Sequence, residues 1–207
     1  MILLEPKVSP GAKLLVILAF ALFWNGIVSV FVAEAVKGWR AGHPDWWLTL
    51  FLVPFVVIGL GFLGGVVYLF LALFNPRPRL RVTPGTVRLG NTLQVQWEIT
   101  GRVHVLERLR LRLEGREEAT YRRGTSSSTD RSVFADLEIA NVTTRPELWS
   151  GSGSVTIPAN LMYSFASEHN KIIWALQVHG QIARWPDLQE EFPVTVLPAS
   201  AASPALP

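Results

Sequence analysis

Two patterns of apolar and polar positions divide the chain. Apolar residues run almost unbroken from Leu14 to Val36 ("LLVILAFALFWNGIVSVFVAEAV") and again from Trp47 to Phe74. Between Leu14 and Phe74 the charged residues are Glu34, Lys37, Arg40 and Asp45, grouped around the break between the two runs. Each run exceeds the roughly 20 residues that a helix needs to cross a ~30 Å hydrocarbon core. From Arg79 onward the pattern changes to strict alternation. Leu93, Val95, Trp97 and Ile99 share one parity, as do Leu109, Leu111 and Leu113, with Arg108, Arg110 and Arg112 on the other. The same period recurs in Val133, Ala135, Leu137 and Ile139, in Val155 and Ile157, in Ile172, Trp174, Leu176 and Val178, and in Phe192, Val194 and Val196. Short alternating runs separated by Gly, Pro and Asn turns spell antiparallel strands folded into a sandwich.

The pattern therefore predicts a membrane hairpin followed by a β-domain. The expected boundaries are an N-terminal cytoplasmic segment over 1–13, a first transmembrane helix over 14–36 and a short outer loop over 37–46. A second transmembrane helix follows over 47–74, then a sandwich over 75–198 and a disordered tail over 199–207. A cleaved leader ending near Ala33-Glu34-Ala35 fits poorly, because the first apolar run is too long and carries Trp24 and Asn25 in its middle. Pro54 removes one backbone donor near the start of the second helix, where a bend is expected. Lys7, Lys13, Arg77, Arg79 and Arg81 flank the outer ends of the pair, against Lys37 and Arg40 in the loop. That asymmetry predicts both chain ends on the cytoplasmic side of the inner (plasma) membrane, with Trp39, Trp46 and Trp47 at the opposite interface. Asn25 sits at mid-depth, and an amide there needs a partner. Gly26 and Ser29 on the first helix and Gly61 and Gly65 on the second are the expected packing seam around it.

Three stretches carry a resemblance. "TPGTVRLGNTLQVQWEI", "LRLRLEGREEATYRR" and "SGSVTIPANLMYSFASEHNKIIWALQVHG" resemble the strand, return and Ile-Pro/Ser-Phe pattern of a single arrestin-type lobe over about Arg79 to Pro198. The expected fold is thus a membrane α-hairpin followed by an antiparallel immunoglobulin/arrestin-like β-sandwich. No counterpart of the arrestin phosphate sensor can be placed residue by residue, so receptor regulation is not implied. Across the full length, "FWNGIVSVF", "PDWWLTLFLVPFVVIGLG", "FNPRPRL" and "RWPDLQEEFPVTVLP" are similar to a family of bacterial membrane proteins with a domain of unknown function, two N-terminal helices and a C-terminal β-domain. That resemblance implies a membrane location and no particular chemistry.

Composition adds exclusions. The chain has 207 residues, of which 49% are hydrophobic and 17% charged, with mean hydropathy +0.30. It contains no cysteine, which removes disulfides, thiolate metal sites and thiol catalysis. Its net charge of +3 lies largely at juxtamembrane positions and reads as membrane-surface charge, with little sign of nucleic-acid binding. His43, His104, His169 and His179 form no metal-binding spacing, and no phosphate-binding or nucleophile-elbow motif occurs. No catalytic residue, cofactor, metal or small-molecule substrate is therefore expected.

Two polar stretches remain as candidate protein contacts. "EGREEATYRRGTSSSTDRS" interleaves Glu117 and Glu118 with Arg116, Arg122 and Arg123, which suggests a solvated hairpin of surface pairs, or else an anion or phosphopeptide site built on those arginines. "WPDLQEE" sets Trp185 beside Asp187 and Glu190 at a turn, as a partner hot spot or a cap on the sandwich end. "SGSGS" at 150–154 reads as a flexible connection or a bulge. The function expected is a membrane-anchored, non-enzymatic binding or scaffolding protein that meets an unidentified protein partner or self-associates. The alternative is an accessory subunit that braces a larger membrane complex through its helices.

Overall fold

The computed structural model describes residues 1–7, 9–124 and 126–199; the side chains of Arg123 and Ser126 are outside this set. The chain forms two compact units, a helical pair that ends at Phe74 and a β-unit built from residues 1–7 together with the chain from Asn75 on. Of the expected tail, residues 200–207 lie outside the described residues.

Helix α1 spans Pro10–Arg40 and helix α2 spans Trp46–Ala72. Both are long and apolar enough to cross a membrane. Helix α1 begins before residue 14 because Ser9 caps it, its Oγ accepting from Ala12 N–H, and Pro10 fills the first turn, where no donor is needed. Lys37 and Arg40, expected in a loop, lie in the last turn of α1, where their charge complements the helix carboxyl end. Asp45 caps α2 by accepting from Leu48 N–H at 2.9 Å. The helix continues through Pro54 and stops at Ala72, two residues short of the apolar run. The buried positions are Ala21, Val28 and Ala35 on α1 and Leu52 and Gly59 on α2. Both sets recur every seven residues, the spacing of two helices that keep one seam in register.

Among the described residues the β-unit contains ten strands: β1 (Ile2–Leu4), β2 (Arg77–Thr83), β3 (Thr86–Arg88), β4 (Thr92–Thr100), β5 (Leu106–Arg123), β6 (Ser126–Val142), β7 (Ser150–Thr156), β8 (Phe165–Ala166), β9 (Asn170–Ile182) and β10 (Leu188–Leu197). A short helix α3 (Arg145–Trp149) links β6 to β7. One sheet has the order β1-β2-β4-β7; the other runs β3-β10-β9-β5-β6, with β8 beside β9. All pairs are antiparallel except β3 with β10, which is parallel. The two inner faces meet in one core, in which Leu80, Val82, Leu93, Val95 and Trp97 face Leu109, Leu111, Leu113, Trp174, Leu176 and Phe192. This is the sandwich that the alternating pattern predicts. Trp174 is 1% exposed, and its indole N–H donates to the Met162 carbonyl at 2.9 Å.

Three local expectations are corrected. Residues 2–4 are part of the sandwich: Ile2, Leu3 and Leu4 pair with Val82, Arg81 and Leu80. Three residues are too few for a period to show. "SGSGS" is strand β7, and its glycines answer a packing need, since a Cβ on Gly151 would collide with the Trp97 ring. In β6 the pairing slips opposite Gly115 and Arg116, leaving Phe134 as an extra residue. The slip reverses the side-chain parity. Val133, expected inside, is exposed, and Phe134 packs edge-on against Trp174 at 5.4 Å.

Candidate functional site

A group of charged side chains in the β-unit is built on one strand face. In β5 the core takes Leu109, Leu111 and Leu113, so Glu114, Arg116 and Glu118 line up on the outer side. Arg116 is nevertheless 1% exposed. Its guanidinium donates to Glu114 Oε1 at 3.0 Å, to Glu118 Oε1 at 3.0 Å and to Glu191 Oε1, on β10, at 2.6 Å. Arg131 on β6 lies 2.9 Å from Glu118. The N-terminal segment closes the group: Lys7 N–H donates to the Glu191 carbonyl at 2.8 Å, and Lys7 Nζ lies 3.2 Å from Glu191 Oε1. Arg116, Arg131 and Lys7 thus face Glu114, Glu118 and Glu191, three charges against three.

Burial works to discharge Arg116, but its bonds to Glu191, Glu118 and Glu114 outweigh burial and hold its pKa above the ordinary value. Burial likewise pushes Glu118 and Glu191 up. The hydrogen bond from Arg116 overrides it in both, helped by Arg131 at Glu118 and by Lys7 at Glu191, so both carboxyls sit below their usual range. Chemically this is a clamp. Its charges are neutralised within the group, and it joins β5, β10 and the N-terminal segment.

The sequence pattern placed Arg116 in a solvated hairpin, opposite both Glu117 and Glu118. Only Glu118 bonds to it; Glu117 is the next residue along a strand and points to the opposite face. The signal that finds the clamp is Glu-x-Arg-x-Glu on the outward parity of a strand. Glu191, 75 positions away, has no signal in the sequence.

The two candidate contact groups occupy opposite ends of the six-stranded sheet. Pairing of β5 with β9 ends at Ala119–Asn170, so β5 and β6 continue as a two-stranded arm. Arg122 is exposed on this arm; the side chain of Arg123 and residue Thr125 lie outside the described residues. Thr120 and Thr129 hydroxyls bond across the arm at 3.0 Å, and Tyr121 donates to Asp130 at 3.1 Å. Trp185 and Asp187 lie at the β9–β10 turn, beyond the other end of β9, and Glu190 lies within β10, paired with Val178 of β9. Trp185 is half-buried against the core, and Asp187 Oδ1 accepts from Ile182 N–H at 3.1 Å. Asn75 fastens the same turn by donating to the Pro186 and Asp187 carbonyls. Trp185 therefore caps the sandwich end and Asp187 shapes the turn, while Glu190 is half-buried.

In the helical pair, Asn25 donates to Ala21 O on its own helix at 2.9 Å and to Gly59 O across the pair at 3.2 Å. The Trp24 indole donates to Phe55 O at 2.9 Å. Gly59 is the residue that meets Asn25; a Cβ there would run into the amide oxygen. Gly65 lies against Ile17. Gly26 and Gly61, expected in the seam, have open space beside them, and Ser29 bonds to Gly26 O on its own helix. Gly61 follows Gly59 by two residues, a turn of about 200° that carries it off the seam.

No family model matches the chain, and no curated protein does. Among solved structures the chain is similar to Spo0M, a sporulation control protein from Bacillus subtilis, with TM-score 0.42 and 9% identity, over 60% of this chain and 49% of that one. The chain thus spans about half the length of that structure.

Proposed function

We propose that this is a two-pass inner-membrane protein that acts without catalysis, displaying its β-sandwich on the cytoplasmic side for a protein partner. The observation that carries the reading is the pairing of β1 with β2. The apolar helices form one long insertion between two adjacent strands of a single sheet. Residues 2–4 and 77–83 must then share a compartment, which requires that both helices cross or neither does. Cleavage after Ala35 would also strip an edge strand from the sandwich. The five flanking basic residues against two in the middle give the direction. The β5–β6 arm, with Tyr121 and Arg122 exposed, is the surface best placed to reach a partner.

The absence of native cysteine makes the test clean. In intact cells an impermeant maleimide should label a His43→Cys variant and leave Ser127→Cys unmodified until the membrane is opened. The opposite pattern would invert the topology, and labelling of both in intact cells would remove the hairpin.

A second reading rests on the outward faces of Gly26 and Gly61, where a foreign helix could approach closely. In that case the chain is an accessory subunit, and purification in mild detergent should bring polytopic subunits with it, lost on Gly26→Leu or Gly61→Leu.

A further inference from the structure

The outer face of the four-stranded sheet is unlike the rest of the β-unit. Strand β2 buries Pro78, Leu80 and Val82, so Arg77, Arg79 and Arg81 form an exposed column on the other side. In register beside them stand Thr100, Glu98 and Gln96 on β4, then Ser150 and Ser152 on β7. Among the described residues no carboxylate comes within 4.0 Å of any of the three arginines, although Glu98 is the register partner of Arg79. A shallow groove of about 370 Å³ runs beside Arg79 and Arg81, floored by Gln96, Glu98, Ser150 and Ser152. At the edge, Leu3 pairs with Arg81 and is 56% exposed, and Met1 beyond it is 62% exposed.

We propose that this face docks on the anionic phospholipid headgroups of the leaflet at which α2 ends. Three like charges on alternate residues of one strand repel one another, and a plane of phosphates relieves that repulsion. Around the arginines stand the hydroxyls of Thr100, Ser150 and Ser152, the Gln96 amide and the Glu98 carboxylate, so three cations outnumber the acid on this face and the hydroxyls and amide offer donors to phosphate oxygens. The exposed Met1 and Leu3 supply the apolar contact that accompanies basic residues at a bilayer interface. Covalent reach favours lipid over a soluble acidic partner: Arg77 follows Ala72 by five residues, so it stays within about 18 Å of the helix end. The inference rests on the reading that the helices span a bilayer. It would leave the six-stranded sheet and the β5–β6 arm free for a protein partner.

The test uses the full chain in liposomes of phosphatidylcholine, with or without phosphatidylglycerol. A fluorophore is placed by Ser152→Cys on the arginine face or by Ser132→Cys on β6, and energy transfer to a headgroup-labelled lipid is measured. Transfer from position 152 should rise with phosphatidylglycerol and fall in about 1 M salt, where the screening length is ~3 Å. Arg79→Gln and Arg81→Gln should each lower the docked-to-free ratio about fivefold, with Arg→Lys at the same positions restoring most of it. Unchanged thermal unfolding would confirm that these exposed substitutions leave the fold intact. Equal transfer in neutral and anionic liposomes, or indifference to the arginine substitutions, would overturn the proposal. So would a response at position 152 to soluble polyglutamate alone, which would assign the face to an acidic protein. Failure of the spanning reading is scored separately, as release of the protein from neutral liposomes by alkaline carbonate.

Discussion

Strands β2 and β5 are written alike, with arginine at alternate positions and apolar residues between, yet the two sheets do opposite things with them. On the six-stranded sheet Arg110 meets Glu138 at 2.8 Å, Arg112 meets Asp136 at 2.6 Å and Arg116 is buried among three carboxylates. On the four-stranded sheet Arg77, Arg79 and Arg81 stand beside Thr100, Glu98 and Gln96 without an ion pair among the described residues. The difference lies in the neighbouring strands. Strand β5 runs between β6 and β9, and β6 and β10 bring acids to the same face; β2 lies between β1 and β4, which offer Leu3, Glu98 and amides. An arginine on a strand is thus a structural tie or an open contact according to what other strands place opposite it.

The sharpest way to break this comparison is to remove one arginine from each face. Arg116→Ala leaves Glu114, Glu118 and Glu191 facing one another without their central cation. Losing one partner of a buried charge group costs about 3–5 kcal/mol, similar to the ~3–5 kcal/mol expected for truncating the core residue Trp174 to Ala. Arg81→Ala should change stability by no more than about 0.5 kcal/mol. Denaturant unfolding of the full chain in detergent, followed by tryptophan fluorescence, measures all three. Equal losses at Arg116 and Arg81 would erase the distinction between the faces.

Acid should separate them next. The carboxyls of Glu118 and Glu191 lie below their usual range in the folded state, so their contribution is fully present above the ordinary value of about 4.3. It is lost as the pH falls through the lowered folded values, because the unfolded chain then binds protons more readily. The melting temperature should decline in that acidic window. In Arg116→Met the decline should be shallower, since the residue that lowers both carboxyls is gone.

Smaller effects belong to the exposed pairs. Arg110→Ala and Arg112→Ala should each cost about 0.2–1 kcal/mol and lose part of that cost in high salt. If salt leaves them unchanged, the aliphatic stems of the arginines contribute the packing and the ion pairs little. Arg79→Gln should be nearly silent in unfolding and visible only in lipid contact.

Much of the architecture was legible because it is periodic. Unbroken apolar runs gave two helices, and alternation gave Trp174, Leu176 and Val178 as core. The helix starts were not legible from the apolar runs, which place them at residues 14 and 47; the helices begin at Pro10 and Trp46, behind the Ser9 and Asp45 caps. The candidate contacts were less legible. Trp185 and Asp187 lie in a turn that the spelling identifies, but their packing against Ile182 and the core comes from the fold. Gly61 has the right depth to oppose Asn25 and the wrong azimuth; Gly59 has both.

The sequence by itself determined the division into helices and strands and the inward parity of most strands. These follow from the order of side chains along a few consecutive residues, the range over which backbone geometry repeats. Only the tertiary structure decided three other things: that residues 2–4 close a sheet on the far side of the helical insertion, that an extra residue at Phe134 reverses parity, and that Glu191 and Lys7 complete the group around Arg116. Each depends on a partner brought close by folding, or on a slip between two strands. Neither leaves a trace in local periodicity, because the energy of a charge or of a strand edge is set by whatever stands opposite it in space.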